Sequence, residues 1–379
     1  MGVALGMIYK PLGKSGCLVP ALGQGCMGIG GFFSQDISDD DRYIGALQRG
    51  YALGMTFVDT AEVYGDGHSE EVIGKSVKGI RDSIFIASKF SPENSSSRGV
   101  IDAAERSLQR LRTDYIDLYQ IHWPNPLIPL EETLGAMVKL VQEGKVRFIG
   151  VSNFSLKELK EAHALLGDKL VSIQNEYNLF DRSIESTVLP FCVENDMTMI
   201  AYSPLDQGNL SSPSKKACLE EIAQHHDGTV AQVVLNWLVA KRNVVAIPKS
   251  SNIHHVEENA KALAFRLSDA EIRLIDDAFS GNQKRIPVKE IRVVQDGQGN
   301  RKAYCTLSEA IENKLGFVPS PADLAEDIAS GEPIKPVRVR KTTSTEGGYA
   351  YDLLEGRIRY WAWVIANGET SAIPVLIRE

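Results

Sequence analysis

Eight short apolar runs alternate with helical patterns across the first 280 residues, and this alternation constrains the fold more than any other feature. The runs are Ala21–Gly25, Thr56–Asp59, Ile84–Lys89, Ile116–Ile121, Phe148–Ser152, Ser172–Glu176, Thr198–Tyr202 and Val244–Pro248. The segments between them carry helical spacing; Leu134, Met137, Val138 and Val141, for example, fall on one face at a period of 3.6. Eight strands alternating with helices over about 250 residues predict an α/β fold of the (β/α)8 TIM-barrel type. Met7–Lys10 and Cys17–Val19, split by a Gly-containing turn, predict an N-terminal β-hairpin ahead of the barrel. A doubly wound open sheet is the competing architecture. It needs a Gly-rich fingerprint after its first strand, and Gly25-Cys26-Met27-Gly28-Ile29-Gly30-Gly31 matches that spacing poorly.

The pattern changes near Ser280-Gly281-Asn282-Gln283. Two domains are expected, residues 1–284 and residues 285–379. In the second, Ile286–Val294, Pro336–Lys341, Tyr349–Leu354 and Ile373–Ile377 read as strands. Ser308–Asn313, Ala322–Ala329 and Arg357–Ile365 read as helices, Gln295–Asn300 as a turn and Thr342–Gly348 as a flexible loop. That is a small α+β domain, large enough to fold alone.

Composition excludes several functional classes. The net charge is -8, with no basic excess of the kind that phosphate-backbone binding needs. No run of 18 apolar residues exists, so no membrane span is expected. The opening MGVALGMIYK lacks the features of a signal peptide or a myristoylation site, and the five cysteines form no CxxC pair. A reducing, cytoplasmic setting is expected, with no metal site. Cys26 reads as a buried, inert thiol.

The chemistry gathers at strand ends. Asp59 closes the second strand and Tyr64 follows it; Lys89 closes the third strand and His122 follows the fourth. Strand C-termini share one mouth of a barrel, where active sites sit. A free Tyr hydroxyl, with a pKa near 10, is a weak acid at neutral pH. An adjacent ammonium is expected to lower that pKa, and an Asp holds the ammonium in place. Such a Tyr can protonate a carbonyl oxygen as hydride reaches the carbon, and the His can orient that oxygen. Trp123 either lines the pocket or packs beside His122, and Tyr202 either borders a cofactor or stacks in the core.

The segment Phe57-Val58-Asp59-Thr60-Ala61-Glu62-Val63-Tyr64-Gly65 resembles the signature of the aldo-keto reductases. Ala87-Ser88-Lys89, Leu118-Tyr119-Gln120-Ile121-His122-Trp123-Pro124 and Gly150-Val151-Ser152-Asn153-Phe154 do so too. The resemblance implies an NADP(H)-linked carbonyl reductase with Tyr64 as proton donor, supported by Asp59, Lys89 and His122. It implies that Ser152, Asn153 and Gln174 hold the nicotinamide carboxamide and that Tyr177 stacks on the nicotinamide ring. Tyr202-Ser203-Pro204-Leu205 resembles the pyrophosphate loop. Lys249 and Ser250 would meet the adenosine 2'-phosphate, and Glu258 and Asn259 the adenine. His255 stands where many members carry an Arg, which weakens the NADP preference and admits NAD(H).

Tyr351-Asp352-Leu353-Leu354-Glu355-Gly356-Arg357-Ile358-Arg359-Tyr360-Trp361-Ala362 resembles the ParB/sulfiredoxin-like superfamily. The resemblance extends to Ile286–Ile291 and to Ile373-Pro374-Val375. Physically, a Gly leads into a helix whose first turn carries two Arg, so a phosphate or nucleotide site at Gly356, Arg357 and Arg359 is an expectation. A packing or dimerisation module is the competing expectation, and homo-oligomers are admitted. The sulfiredoxin Cys is missing near this turn and no helix-turn-helix follows, so DNA is not an expected partner.

Two functions therefore compete. One is a reductase of small carbonyl substrates with a C-terminal regulatory domain. The other is a nucleotide-responsive binding or kinase-like protein whose barrel senses a redox cofactor. The intact Asp-Tyr-Lys-His set favours the first, since a sensor does not need a proton donor.

Overall fold

A computed structural model describes residues 6–32, 34–206, 213–280, 283–293, 304–342 and 348–378. The chain divides into two compact units, Met1–Ala278 and Phe279–Glu379. The first unit begins with an antiparallel hairpin, β1 (Tyr9–Pro11) and β2 (Leu18–Pro20), displaced slightly from the expected strands. Eight parallel strands follow: β3 (Gln24–Gly25), β4 (Phe57–Asp59), β5 (Phe85–Phe90), β6 (Ile116–Ile121), β7 (Val146–Ser152), β8 (Leu170–Glu176), β9 (Thr198–Tyr202) and β10 (Val244–Ala246). They pair in chain order from β3 to β10. Parallel bridges Leu22↔Ala246 and Gly25↔Lys249 join first strand to last, so the sheet closes into a barrel and the open-sheet alternative falls. The first and last strands are shorter than expected, because at each only part of the apolar run enters the ladder.

Barrel strands are covered by helices outside and side chains inside, which is why β5, β6 and β8 are buried along their whole length. Leu12 and Val19 of the hairpin pack with Phe57, Phe85, Leu118 and Val171. These residues lie at or near the starts of their strands, so the hairpin fills the N-terminal end of the barrel. The opposite end, where the strands terminate, is left for chemistry.

The second unit holds a five-stranded mixed sheet, ordered β11-β15-β13-β14-β12. Its strands are β11 (Gln283–Pro287), β12 (Ile291–Val293), β13 (Val337–Lys341), β14 (Tyr351–Glu355) and β15 (Ala372–Arg378). The single strand expected over Ile286–Val294 is in fact two, at opposite edges of the sheet. Pro287 ends the first, a turn of 3-10 helix takes Val288–Glu290, and the chain re-enters at Ile291. Helices Leu307–Ile311, Pro321–Ala329 and Arg357–Asn367 complete the unit. Its core gathers Val337, Val339, Leu353, Tyr360, Trp361, Ile373 and Val375. The expected turn over Gln295–Asn300, and most of the loop over Thr342–Gly348, lie outside the described residues.

Candidate active site

The four expected residues converge at the C-terminal end of the barrel. Lys89, fully buried, donates to Asp59 Oδ1 at 2.6 Å and to the carbonyl of Thr60 at 2.8 Å. Its ammonium lies 5.2 Å from the centre of the Tyr64 ring, and the Tyr64 hydroxyl adds to the electrostatics that hold it charged. The Tyr64 and His122 rings meet edge to face, with centroids 5.7 Å apart. Trp123 stacks on His122 at 3.7 Å and is still 43% exposed, so it both packs beside the His and borders the mouth.

The electrostatics follow from burial and pairing. Burial works against the Lys89 ammonium, yet Asp59 and Tyr64 together hold it above the ordinary lysine range. Burial pushes the Tyr64 phenol above its usual value, and Lys89 recovers only part of that rise. The sequence led us to expect a lowered phenol; the lysine acts in that direction, but desolvation is larger. Burial, then Lys89, hold His122 well below the usual histidine range, so its imidazole is neutral. Its Nδ1 is buried and has no hydrogen-bond partner among the described residues. Burial also pushes the Cys26 thiol far up, as expected of an inert cysteine.

Asp59 is also the end of a longer polar chain. Gln174 Nε2 donates to Asp59 Oδ2 at 2.7 Å, and Ser152 Oγ donates to the Gln174 carbonyl at 2.9 Å. Asn153 Nδ2 donates to Ser152 Oγ and to the His122 carbonyl, while Asn153 Oδ1 accepts from the Tyr202 hydroxyl at 2.8 Å. Asn153 adopts a left-handed φ of 60°, a conformation uncommon outside glycine and often stored at functional sites. Tyr202 is half-buried. Tyr177 is fully enclosed, with its hydroxyl on Glu185 at 2.5 Å and its ring against Trp237. Ser203 has φ 48°, Pro204 is buried and Leu205 is half-buried.

At the end of β10, Lys249 is exposed and Ser250 precedes helix Ile253–Ala260. Asn252 caps that helix by accepting from the His254 N–H, and Ser250 Oγ shapes the turn by bonding Asn252 at both its N–H and its carbonyl. His255 is exposed, Glu258 is half-buried and Asn259 is buried.

The aldo/keto reductase family model matches residues 21–279. The chain belongs to the aldo/keto reductase family. It is 41% identical over 264 residues to the methylglyoxal reductase YeaE of Escherichia coli, covering 69% of this chain and 91% of that protein. It is 32% identical over 304 residues to the aldo-keto reductase yakc [NADP(+)] of Schizosaccharomyces pombe, covering 69% and 88%. Among solved structures, a thermostable aldo-keto reductase bound to the inhibitor epalrestat superposes with a TM-score of 0.70 at 47% identity, covering 72% of this chain and 100% of that one. An aldo-keto reductase from Klebsiella pneumoniae in complex with NADPH gives 0.67 at 35% identity, covering 72% and 96%.

Three supports of this aldo/keto reductase site were missed in the sequence. Gln120 donates to Asp59 at 3.3 Å from β6; its signal was a lone amide within an apolar strand. Thr60 contributes a carbonyl, which no side-chain pattern reports. Ser88, beside Lys89, donates to the fully buried Glu70, which Arg110 holds at 2.7 Å.

The turn at Gly356 has a different character. Gly356 has φ 92° and starts helix Arg357–Asn367, as expected. However, Arg359 Nη1 donates to the carbonyls of Lys335 and Pro336, at 2.9 and 2.8 Å, and its Nη2 lies 3.9 Å from Glu355. Arg338 holds the same Glu355 at 2.5 Å. Arg357 donates to the carbonyl of Leu354. The structure thus brings Glu355 to Arg359 and Arg338, and a backbone carbonyl to Arg357.

Proposed function

We propose that residues 1–284 form an NADPH-dependent carbonyl reductase in which Tyr64 delivers the proton. The observation that carries this reading is the Asp59–Lys89–Tyr64 chain at the barrel mouth, beside a neutral His122. As in its family, the cofactor is NADP(H). When bound, it supplies a hydride to the carbonyl carbon. Tyr64 is protonated at neutral pH and gives its hydroxyl proton to the developing alkoxide oxygen. Lys89 stabilises the phenolate left behind, and Asp59 keeps Lys89 charged and in place. The neutral His122 ring orients the oxygen through an N–H.

The residues of the mouth suit a nicotinamide nucleotide. Ser152, Asn153 and Gln174 present amide and hydroxyl groups suited to a carboxamide. Tyr177 has no exposed face, so we assign the ring that stacks on nicotinamide to Tyr202 instead. Ser203, Pro204 and Leu205 form the start of a pyrophosphate loop. Lys249, Ser250 and His255 gather at a helix start suited to the 2'-phosphate, with Glu258 and Asn259 on the adenine side. NAD(H) is accepted less well. The substrate is a small aldehyde or ketone, and the relative named methylglyoxal reductase puts dicarbonyls first. Steady-state NADPH oxidation with methylglyoxal, benzaldehyde and an aldose tests this; no turnover with any aldehyde would overturn it.

We further infer that residues 285–379 form a separate ParB/sulfiredoxin-like domain, supported by the motif at Gly356 and by the compact unit that begins at Phe279. Packing fits its Arg residues better than phosphate binding or regulation, because Arg359 is spent on two carbonyls. Calorimetry of the full chain with ATP and pyrophosphate tests this. Saturable binding lost in Arg359→Ala would restore the phosphate reading.

A further inference from the structure

Asp59 and Lys89 stand near the ends of β4 and β5, and successive side chains along a strand point to opposite faces of the sheet. The residue beside each therefore points away from the barrel interior, toward the helices outside. Those residues are Thr60 and Ser88. Both end on the first turn of one helix, His68–Ser76, which directly follows the Tyr64-Gly65-Asp66-Gly67 turn. Ser88 donates to Glu70 Oε1 at 2.5 Å, and the Thr60 hydroxyl donates to Ser69 Oγ at 2.9 Å. The Ser69 N–H also donates to the Tyr64 carbonyl at 3.2 Å. Two adjacent residues thus hold the neighbours of Asp59 and Lys89 and the backbone of Tyr64.

That turn is itself anchored. Thr60, Ser69, Glu70 and Ser88 are fully buried. A buried carboxyl group needs hydrogen-bond partners, and Glu70 has one on each oxygen: Ser88 on Oε1 and Arg110 Nε on Oε2, at 2.7 Å. Arg110 comes from the last turn of helix Ser97–Leu111. Two glycines let the helices approach this closely. A Cβ at Gly67 would sit 2.7 Å from Arg110 Cδ, and one at Gly74 would sit 2.7 Å from the Leu111 carbonyl oxygen. The second helix therefore fixes Glu70 from behind, and Glu70 fixes Ser88. Neither Glu70 nor Ser88 faces the mouth, so both can influence the reaction only through the groups they hold.

We propose that Glu70 is a positioning residue for carbonyl reduction: through Ser88 it fixes the β5 backbone at Lys89, while its neighbour Ser69 fixes Thr60 and the Tyr64 turn. One helix turn then sets the distance between the ammonium and the proton donor. This rests on the reading of Tyr64 as proton donor and Lys89 as its support. Displacements of about 1 Å in such a pair cost up to about 10²-fold in rate.

The test compares Ser88→Ala, Glu70→Gln and their combination in the full chain, with NADPH and methylglyoxal, at a temperature where circular dichroism shows each folded. Ser88→Ala keeps the Glu70–Arg110 pair, so it decides alone where Glu70→Gln does not fold. Each single variant should lower kcat by about 10-fold, with the KM for methylglyoxal and the NADPH affinity within about twofold of wild type. The combination should be no slower than the slower single variant, because both cut one link. Ser76→Ala is the control. It removes a buried hydroxyl that donates to the Ile73 carbonyl at 2.8 Å, at the other end of the same helix. It should lower the unfolding temperature and leave kcat unchanged. Wild-type kcat in Ser88→Ala, an equal loss in Ser76→Ala, or losses that multiply in the combination would each overturn the positioning role. Lys89→Met separates this proposal from the reading beneath it. It should abolish turnover; retained turnover would sink the Lys89 role and the positioning that rests on it. Abolished turnover beside a fully active Ser88→Ala would remove the positioning alone.

Discussion

The barrel mouth and the Gly356 turn use similar ingredients: a strand end, a carboxylate and a cation. At the mouth, Lys89 is held by Asp59 and the Thr60 carbonyl and still acts on half-buried Tyr64. At the turn, Arg359 donates into two backbone carbonyls and faces Glu355, which Arg338 also holds. One cation acts on a group that can exchange a proton; the other closes a local structure. A charged motif at a strand end signals chemistry only when what it holds is reactive and open.

The sharpest way to break this contrast is to remove each cation. Lys89→Met leaves Asp59 buried without its partner, which typically costs about 3–5 kcal/mol. We expect lost turnover together with a clear drop in barrel unfolding temperature; Asp59→Asn in the same chain should restore part of the stability but none of the activity. Gly356→Ala should cost the second unit about 1–3 kcal/mol, because φ is left-handed and the new Cβ would meet Val337 Cγ1 at 3.0 Å. Urea unfolding measures it. Arg359→Ala should destabilise on the scale of a charged hydrogen bond, about 1.5–3 kcal/mol, with no change in ATP binding.

The pH dependence sharpens the same contrast. Burial raises the Tyr64 phenol above its ordinary value. The acid form needed for carbonyl reduction therefore persists through neutral pH, and Tyr64 itself limits reduction only as pH rises past the usual tyrosine value of about 10. Alcohol oxidation needs the phenolate, so its rate should rise over that same range. A Tyr64-dependent fall in reduction below pH 8 would show that Lys89 outweighs burial. The smallest effect should come from His255→Arg, which tightens NADPH severalfold and NADH hardly at all, as a charge-assisted phosphate contact is added. Equal changes for both cofactors would move His255 away from the 2'-phosphate.

Much of the mouth was legible because strand ends carry it: Asp59, Lys89 and His122 are polar groups at the close of apolar runs, and a barrel turns such ends toward one place. The missed supports were of another kind. A Thr60 carbonyl leaves no residue signature, and Gln120 looks like an interruption of its strand until the sheet sets it beside Asp59. For Tyr177, expected to stack on nicotinamide, the sequence was mute on one point: an aromatic after a strand says nothing about which of its faces is covered. Its hydroxyl on Glu185 and its ring on Trp237 enclose it, whereas Tyr202 stays half-buried. At Gly356 the left-handed turn was readable from the glycine. The carbonyls that engage Arg359 come from Lys335 and Pro336, more than 20 residues earlier, and their approach depends on tertiary packing.

The central claim is that Tyr64 is the proton donor. Single-turnover NADPH oxidation by Tyr64→Phe, with methylglyoxal as substrate and NADPH binding followed by Trp fluorescence, tests it most directly. We predict unchanged NADPH binding with the chemical step slowed by about 10²-fold or more, the scale of losing a general acid. A chemical step within a few-fold of wild type at the same cofactor occupancy would contradict the account.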